Sequence, residues 1–193
     1  MIPKIIHLLW MQGINTMPTH YLGYCQSWER KHPKWEVRSW TFDDLPTLQN
    51  EWVLDIDDPT LQSDVARFEL VLQYGGVYVD CDMECLQALD PLIKDCDAFI
   101  SKRTRDMLAS SSFGAVKGSQ WLDEIVQEIL WRKDDIMAPG TIRGPIERVT
   151  RKHPEVRRLH RGLLEAGTPQ PGAYAVHHRQ CLWNKPVQRE QAE

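Results

Sequence analysis

The sequence predicts an α/β fold with a mixed, mostly parallel central sheet flanked by helices, and three stretches predict it. Ile2 to Trp10 is an almost unbroken apolar run, the pattern of a strand buried on both faces. Tyr21 to Lys31 and Trp35 to Trp40 follow as a helix and an alternating strand, giving a β-α-β opening. Gln62 to Asp82 then reads as a helix, a Gly75-Gly76 turn and a short apolar strand, Val77-Tyr78-Val79, whose last residues are Asp80, Cys81 and Asp82. Strands that alternate with helices in this way build layered α/β domains.

Taken in order, Gly13 and Pro18 bound the loop after the first strand, and His32-Pro33 ends the first helix, since a residue before proline avoids helical backbone. Thr41-Phe42-Asp43-Asp44 resembles a helix N-terminus, so a short helix is expected up to Trp52. The acidic loop Asp55 to Pro59 comes next, with Asp55, Asp57 and Asp58 as loop and cap residues. In the central helix Leu61, Val65, Phe68 and Leu72 fall on one stripe at about 100° per residue, with Asp64 and Arg67 together on its flank. As a solvent-exposed i,i+3 ion pair those two would contribute only about 0.2–0.5 kcal/mol. Gly75 and Gly76 supply the positive φ of a helix C-cap. Further strands are expected at Ala98–Lys102 and Ser112–Val116 and a helix over Gln120–Lys133. Pro139-Gly140 breaks the chain, and Gly144-Pro145 opens another helix. Tyr174–His178 reads as a last strand and residues 185–193 as a frayed polar tail. With no repeat and no linker, one domain is expected across residues 1–193.

The chain has 193 residues, 42% apolar and 26% charged, enough for one domain with a real core. A net charge of -4 argues against a nucleic-acid partner held by phosphate neutralisation. Basic residues do gather between Arg143 and Arg161, either as a solvated helix face or as a guide for an anionic donor or membrane-linked acceptor. No stretch approaches the roughly 20 apolar residues of a membrane span, and the N-terminus lacks the layout of a secretory signal. A soluble, cytoplasmic protein is expected. The cysteines at 25, 81, 85, 96 and 181 are odd in number and suit reduced thiols. Cys81 and Cys85 have no second pair to complete a zinc site.

The chemistry sits at the end of the central strand. Ligands of open α/β sheets bind outside the carboxyl ends of the strands, where Asp80 and Asp82 stand. Two acids one residue apart can both reach one hard divalent cation, which can then neutralise a diphosphate. Asp55-Ile56-Asp57 and Asp95-Cys96-Asp97 share the spacing but lack the helix, glycine pair and strand before it. Trp10, at the end of the first strand, is either a platform for a nucleotide base or a core residue. His7 is expected to be a packed strand histidine.

Ile2-Pro3-Lys4-Ile5-Ile6-His7 with Trp10, then Trp28, His32-Pro33 and Trp40, then Ser63-Asp64 with Arg67, then Gly75-Gly76-Val77-Tyr78-Val79-Asp80-Cys81-Asp82 form an ordered set over about half the chain. That set resembles the sugar-transferring DxD region of glycosyltransferase family 32, related to initiating mannosyltransferases, bacterial capsule and lipopolysaccharide sugar transferases and clostridial glucosylating toxins. A weaker match, Arg143-Gly144-Pro145 with His177 and Trp183, extends it.

The resemblance implies a GT-A-like nucleotide-diphospho-sugar transferase fold. It also implies a metal-dependent hexose transfer, with retention, from a UDP- or GDP-hexose to a hydroxyl of a glycan, lipid-linked sugar or protein, as in polysaccharide biosynthesis. Peripheral membrane contact stays open. By the same resemblance Asp80 and Asp82 hold Mn²⁺ or Mg²⁺, with His177 or His178 as a further ligand. Asp64 accepts sugar hydroxyls, Arg67 contacts the donor's sugar or phosphate, Trp10 stacks the base, and Tyr78 lies beside the donor or in the core. The chain departs from the family at Ser110-Ser111-Ser112, where an asparagine is usual. Two other readings compete. One is a non-catalytic nucleotide-sugar binder. The other is a DxD phosphotransferase or phosphatase with Asp80 as nucleophile, disfavoured because Met83-Glu84 stand where that pattern has threonine or valine.

Overall fold

The computed structural model describes residues 1–180, so Cys181, Trp183 and the expected tail at 185–193 lie outside the described residues. Its main sheet has six strands: β1 (Ile5–Leu9), β2 (Glu36–Trp40), β3 (Gly76–Val79), β5 (Ala98–Lys102), β6 (Leu108–Ala115) and β7 (Arg157–Leu159). Their order is β2-β1-β3-β6-β5-β7, and β6 alone runs against its neighbours. The sheet is therefore mixed and mostly parallel, as the alternation of strands and helices predicts. A second, two-stranded antiparallel sheet joins β4 (Met83–Cys85) to β8 (Ala175–His177).

Period-2 alternation along the strands feeds two cores. Ile6, Leu8, Val77, Val79 and Phe99 pack on one face of the sheet with Tyr21, Cys25 and Trp28 of helix α1 (Thr19–Lys31) and Ile93 of the short helix α3 (Asp90–Ile93). Leu9, Tyr78, Ile100 and Phe113 pack on the other, under α2 (Pro59–Tyr74), α4 (Gln120–Trp131) and α5 (Arg143–Lys152). His7 is fully buried on β1, where it contacts Trp40 and the Gly75 carbonyl, and burial pushes its pKa down to about 4. It is a packed neutral histidine.

Three expectations change. The helix expected from Thr41 to Trp52 is instead two 3-10 turns, Phe42–Asp44 and Glu51–Asp55, because Leu45 is extended before Pro46. The single stripe expected of α2 gives way to burial on every side, with all residues from Leu61 to Leu72 buried between the sheet and α4. Finally, β3 ends at Val79, so Asp80, Cys81 and Asp82 form the turn into β4 rather than the end of the strand.

Two local devices set the position of that turn. Asp58 caps α2, accepting from the N–H groups of Thr60 and Leu61, with Pro59 at the first helical position. At the other end Gly75 and Gly76 have φ of 68° and 106°, and a Cβ on Gly76 would stand 2.6 Å from the Ile5 carbonyl oxygen. The chain thus reverses without spare residues and enters the sheet against β1.

Candidate active site

A cleft of about 350 Å³ opens at the carboxyl end of β3. Asp64, Arg67, Asp80, Asp82, Glu165 and His177 all line it. A larger hollow of about 420 Å³, beside Asp97 and Trp121, shares none of these residues, so chemistry rather than size picks out the site.

The backbone brings the acids and the histidine together by a strand pairing. In the β4–β8 ribbon Met83 faces His177, and the His178 N–H donates to the Asp82 carbonyl. His177 Nε2 therefore stands 3.3 Å from Asp82 Oδ1 and 4.0 Å from Asp80 Oδ2. One ligand atom from each of these three residues lies within 4.8 Å of the others. His178 turns the other way, stacking on Tyr24 with its Nε2 3.3 Å from Glu84.

Each group is held from behind. Asp82 is only 1% exposed; its Oδ2 accepts from the Gln180 N–H, while its Oδ1 is buried without a hydrogen-bond partner. Asp80 Oδ1 accepts from Arg67 Nη1 at 3.0 Å and from the Tyr78 hydroxyl at 2.9 Å, which leaves Oδ2 toward the histidine. Glu165 accepts from His177 Nδ1 at 2.7 Å and from the hydroxyls of Ser111 and Ser112 at 2.6 and 2.8 Å.

The charges follow from this crowding. Burial raises the pKa of Asp80 to about 6, against the pull of Arg67. Burial also raises Asp82 and Glu165, but the adjacent His177 more than offsets it and holds both below the ordinary carboxylate range. Burial lowers His177, yet Asp82 and Glu165 push it up to about 10. Taken alone, the cluster retains a proton on the imidazole; a cation among the same three ligands would take that proton's place.

Asp64 and Arg67 are not the exposed pair the helix stripe suggests. Their side chains are 11% and 5% exposed and 3.0 Å apart. Arg67 also donates to the Ser63 carbonyl and hydroxyl and to the Ser110 carbonyl, and its guanidinium lies 4.7 Å over the Tyr78 ring. With its donors committed in this way, it fixes Asp64 and Asp80 from the wall of the cleft. Asp64 Oδ2 accepts from the Gly140 N–H at 3.0 Å. A carboxylate has about four lone-pair sites, so Asp64 keeps acceptor capacity for a ligand.

Two residues expected against a donor lie in the core. Trp10 is 4% exposed, packs edge-on against Tyr21 and donates from Nε1 to the Thr16 hydroxyl. Its ring is covered because the turn after β1 folds back over it. Tyr78 is 1% exposed, with its hydroxyl committed to Asp80. Neither lines the cleft. Glu165 is the site residue that the sequence reading misses; its one signal is an acid inside the apolar run Leu163-Leu164-Glu165-Ala166.

Residues 18–99 match the family model described as the glycosyltransferase sugar-binding region containing the DXD motif. The chain is similar to inositol phosphoceramide mannosyltransferase 3 of Schizosaccharomyces pombe, 29% identical over 135 residues that cover 66% of this chain and 37% of that protein. It is also similar to the mannosyl phosphorylinositol ceramide synthase CSH1 of Saccharomyces cerevisiae, 27% identical over 146 residues, 72% of this chain and 38% of the other. The chain thus spans little more than a third of the length of these relatives. In fold it resembles a solved glycosyltransferase involved in glycosylation of the major capsid of PBCV-1, with a TM-score of 0.56 at 11% identity over 92% of this chain and 94% of that one. These likenesses agree with an α/β fold of the GT-A type.

Proposed function

We propose that the chain, whose residues 18–99 match the DXD-containing sugar-binding region of glycosyltransferases, transfers a hexose from a nucleotide diphosphate sugar to a hydroxyl acceptor with a divalent cation. One observation carries the reading. Asp80, Asp82 and His177 converge on one point of the cleft, and the buried Asp82 Oδ1 has no hydrogen-bond partner there. Its charged neighbour is His177 Nε2 at 3.3 Å, and a cation bound among the three ligands would take over that compensation. Two carboxylates and one imidazole are hard to intermediate ligands that suit Mn²⁺ or Mg²⁺. Bound there, the ion supplies charge neutralisation of a diphosphate leaving group.

The remaining roles belong to the chain's own side chains. Asp64 orients sugar hydroxyls with its free lone pairs. Arg67 keeps Asp64 and Asp80 in place, so its part is positioning. Retention of configuration comes from the family resemblance. The names of the two yeast relatives favour a mannosyl group and a lipid-borne acceptor bearing a phosphate. Arg103 and Arg143 support such an acceptor, because both line the cleft and neither side chain meets an acid or a hydrogen-bond acceptor among the described residues.

The test is to incubate the protein with UDP- and GDP-hexoses, with and without Mn²⁺, and measure nucleoside diphosphate release and melting temperature. The reading expects cation-dependent release from one donor class. A ligand at about 100 times its dissociation constant should also add roughly 2.7 kcal/mol of apparent stability. Stabilisation by a donor without any release, across acceptors that include phosphoinositol lipids, would favour the non-catalytic binder instead.

A further inference from the structure

The proposed function leaves Glu165 without a task, although its side chain is only 1% exposed in the wall of the cleft. Burying a carboxylate costs several kcal/mol, and an apolar residue of similar size would serve packing as well or better. Here the carboxylate is instead saturated by an ordered set of donors. Ser111 and Ser112, on β6, both donate to Oε1. Ser101, on β5, stands 2.7 Å from the Ser112 hydroxyl, so its own hydroxyl can donate to Ser112 while Ser112 donates to Glu165. The other oxygen, Oε2, accepts from His177 Nδ1 at 2.7 Å. Arg179 Nη2 donates to the Glu165 carbonyl at 2.9 Å, which ties down the backbone as well.

A neutral imidazole can carry its proton on either nitrogen, and only a nitrogen without one can bind a metal. An acid fixed at Nδ1 decides between them. We propose that Glu165 is a positioning residue that locks His177 in the Nδ1–H form, turning its Nε2 lone pair toward Asp80 and Asp82, and that Ser111 and Ser112 hold Glu165 for this task. The inference rests on the cation reading of the cleft given above. It also assigns a use to Ser111 and Ser112 of β6. They complete a hydrogen-bonded line from the main sheet, through Glu165, to the β4–β8 ribbon.

The test is a Mn²⁺ titration followed by the electron paramagnetic resonance signal of the free ion, on the whole chain without donor. Wild type, Glu165→Ala, Glu165→Gln and the double variant Ser111→Ala/Ser112→Ala are compared. Circular dichroism and melting temperature in chelator report folding separately. Partners of this kind typically set about 10- to 100-fold in metal affinity. Glu165→Ala is expected to weaken Mn²⁺ binding by about that factor. Glu165→Gln, which keeps an acceptor for Nδ1–H, should retain more affinity than Glu165→Ala. The double serine variant, which keeps the carboxylate but frees it, should bind more weakly than wild type and covers the case in which the Glu165 variants do not fold. Wild-type Mn²⁺ affinity in folded Glu165→Ala or in the serine variant overturns the positioning role and leaves the cation reading standing. Absence of Mn²⁺ binding by wild type overturns both.

Discussion

At the scale of single residues, Arg67 shows how burial changes the value of an interaction. The same i,i+3 pair with Asp64 that is nearly neutral on a surface is here a buried cation between two buried acids. Removing one partner of a buried ion pair costs about 3–5 kcal/mol, because the other charge is left uncompensated. Arg67→Met is therefore expected to lose about that much stability in urea unfolding, and a loss below about 1 kcal/mol would show that Asp64 and Asp80 do not depend on it. The acid cluster makes a second prediction, with its sign set by two raised pKa values. Asp80 and His177 both hold protons more tightly in the folded chain than in the unfolded one. The stability each contributes is complete at low pH. It fades as pH rises, for Asp80 from the ordinary value of 3.8 through about 6 and for His177 from 6.5 through about 10. In chelator, the stability difference between wild type and His177→Gln should shrink between pH 6.5 and 10. A difference constant over that range would contradict the assignment. Asp80 and Asp82 were legible at this scale as a pair, and the histidine only as His177 or His178, of which the structure brings His177 to the acids. The two acids announce themselves by standing after a buried strand. Glu165 did not, because its partners Ser111, Ser112 and His177 are distant in sequence and only the fold brings them to it.

At the scale of elements, the helix–glycine–glycine–strand unit is both the clearest signal in the sequence and the tightest joint in the structure. Gly76 has φ of 106° and a Cβ there would meet the Ile5 carbonyl oxygen at 2.6 Å. Gly76→Ala must therefore bear a backbone strain of about 1–3 kcal/mol and also push β1 away from β3. The expected result is a melting temperature lower by several degrees or more, at about 2–4 °C per kcal/mol for a domain of this size. An unchanged melting temperature would mean that the joint tolerates a side chain. The elements that the sequence hid were short ones. β4 and β7 have three residues each, too few for an alternating pattern to show, and Arg157-Arg158-Leu159 has no apolar face to betray it, whereas the equally short β8 falls inside the strand expected at Tyr174–His178. The expected helix after Thr41 failed for a local reason visible in the chain, Pro46, which the capping-like Thr41-Phe42-Asp43-Asp44 run outweighed.

At the scale of the molecule, the antiparallel β6 is the piece that completes the site. It pairs with β3 on one side and β5 on the other, so the Ser110 carbonyl reaches Arg67 while the hydroxyls of Ser111 and Ser112 reach Glu165. Parallel strands bring α2 and the acids to one end of the sheet, β6 braces them, and the β4–β8 ribbon adds the histidine. The layered α/β architecture followed from the alternation of apolar strands and helices, whereas the ribbon depended on a pairing between residues 83–85 and 175–177 that no local pattern reveals. Among the described residues no helix is long and apolar enough to cross a membrane. Under the proposed function, a lipid-borne acceptor would be met by side chains of the cleft wall such as Arg103 and Arg143.

The most direct test of the whole account is nucleoside diphosphate release from UDP- and GDP-hexoses by wild type and Asp82→Asn, each with Mn²⁺ and after chelation. Asp82 Oδ1 is the buried oxygen without a hydrogen-bond partner, and the substitution changes its charge with little change of shape. The account predicts release by wild type with Mn²⁺, loss of at least about a hundredfold in Asp82→Asn or in chelator, equivalent to roughly 2.7 kcal/mol in the barrier, and an unchanged fold. Equal release by wild type and Asp82→Asn, or by chelated and Mn²⁺-loaded protein, would contradict it.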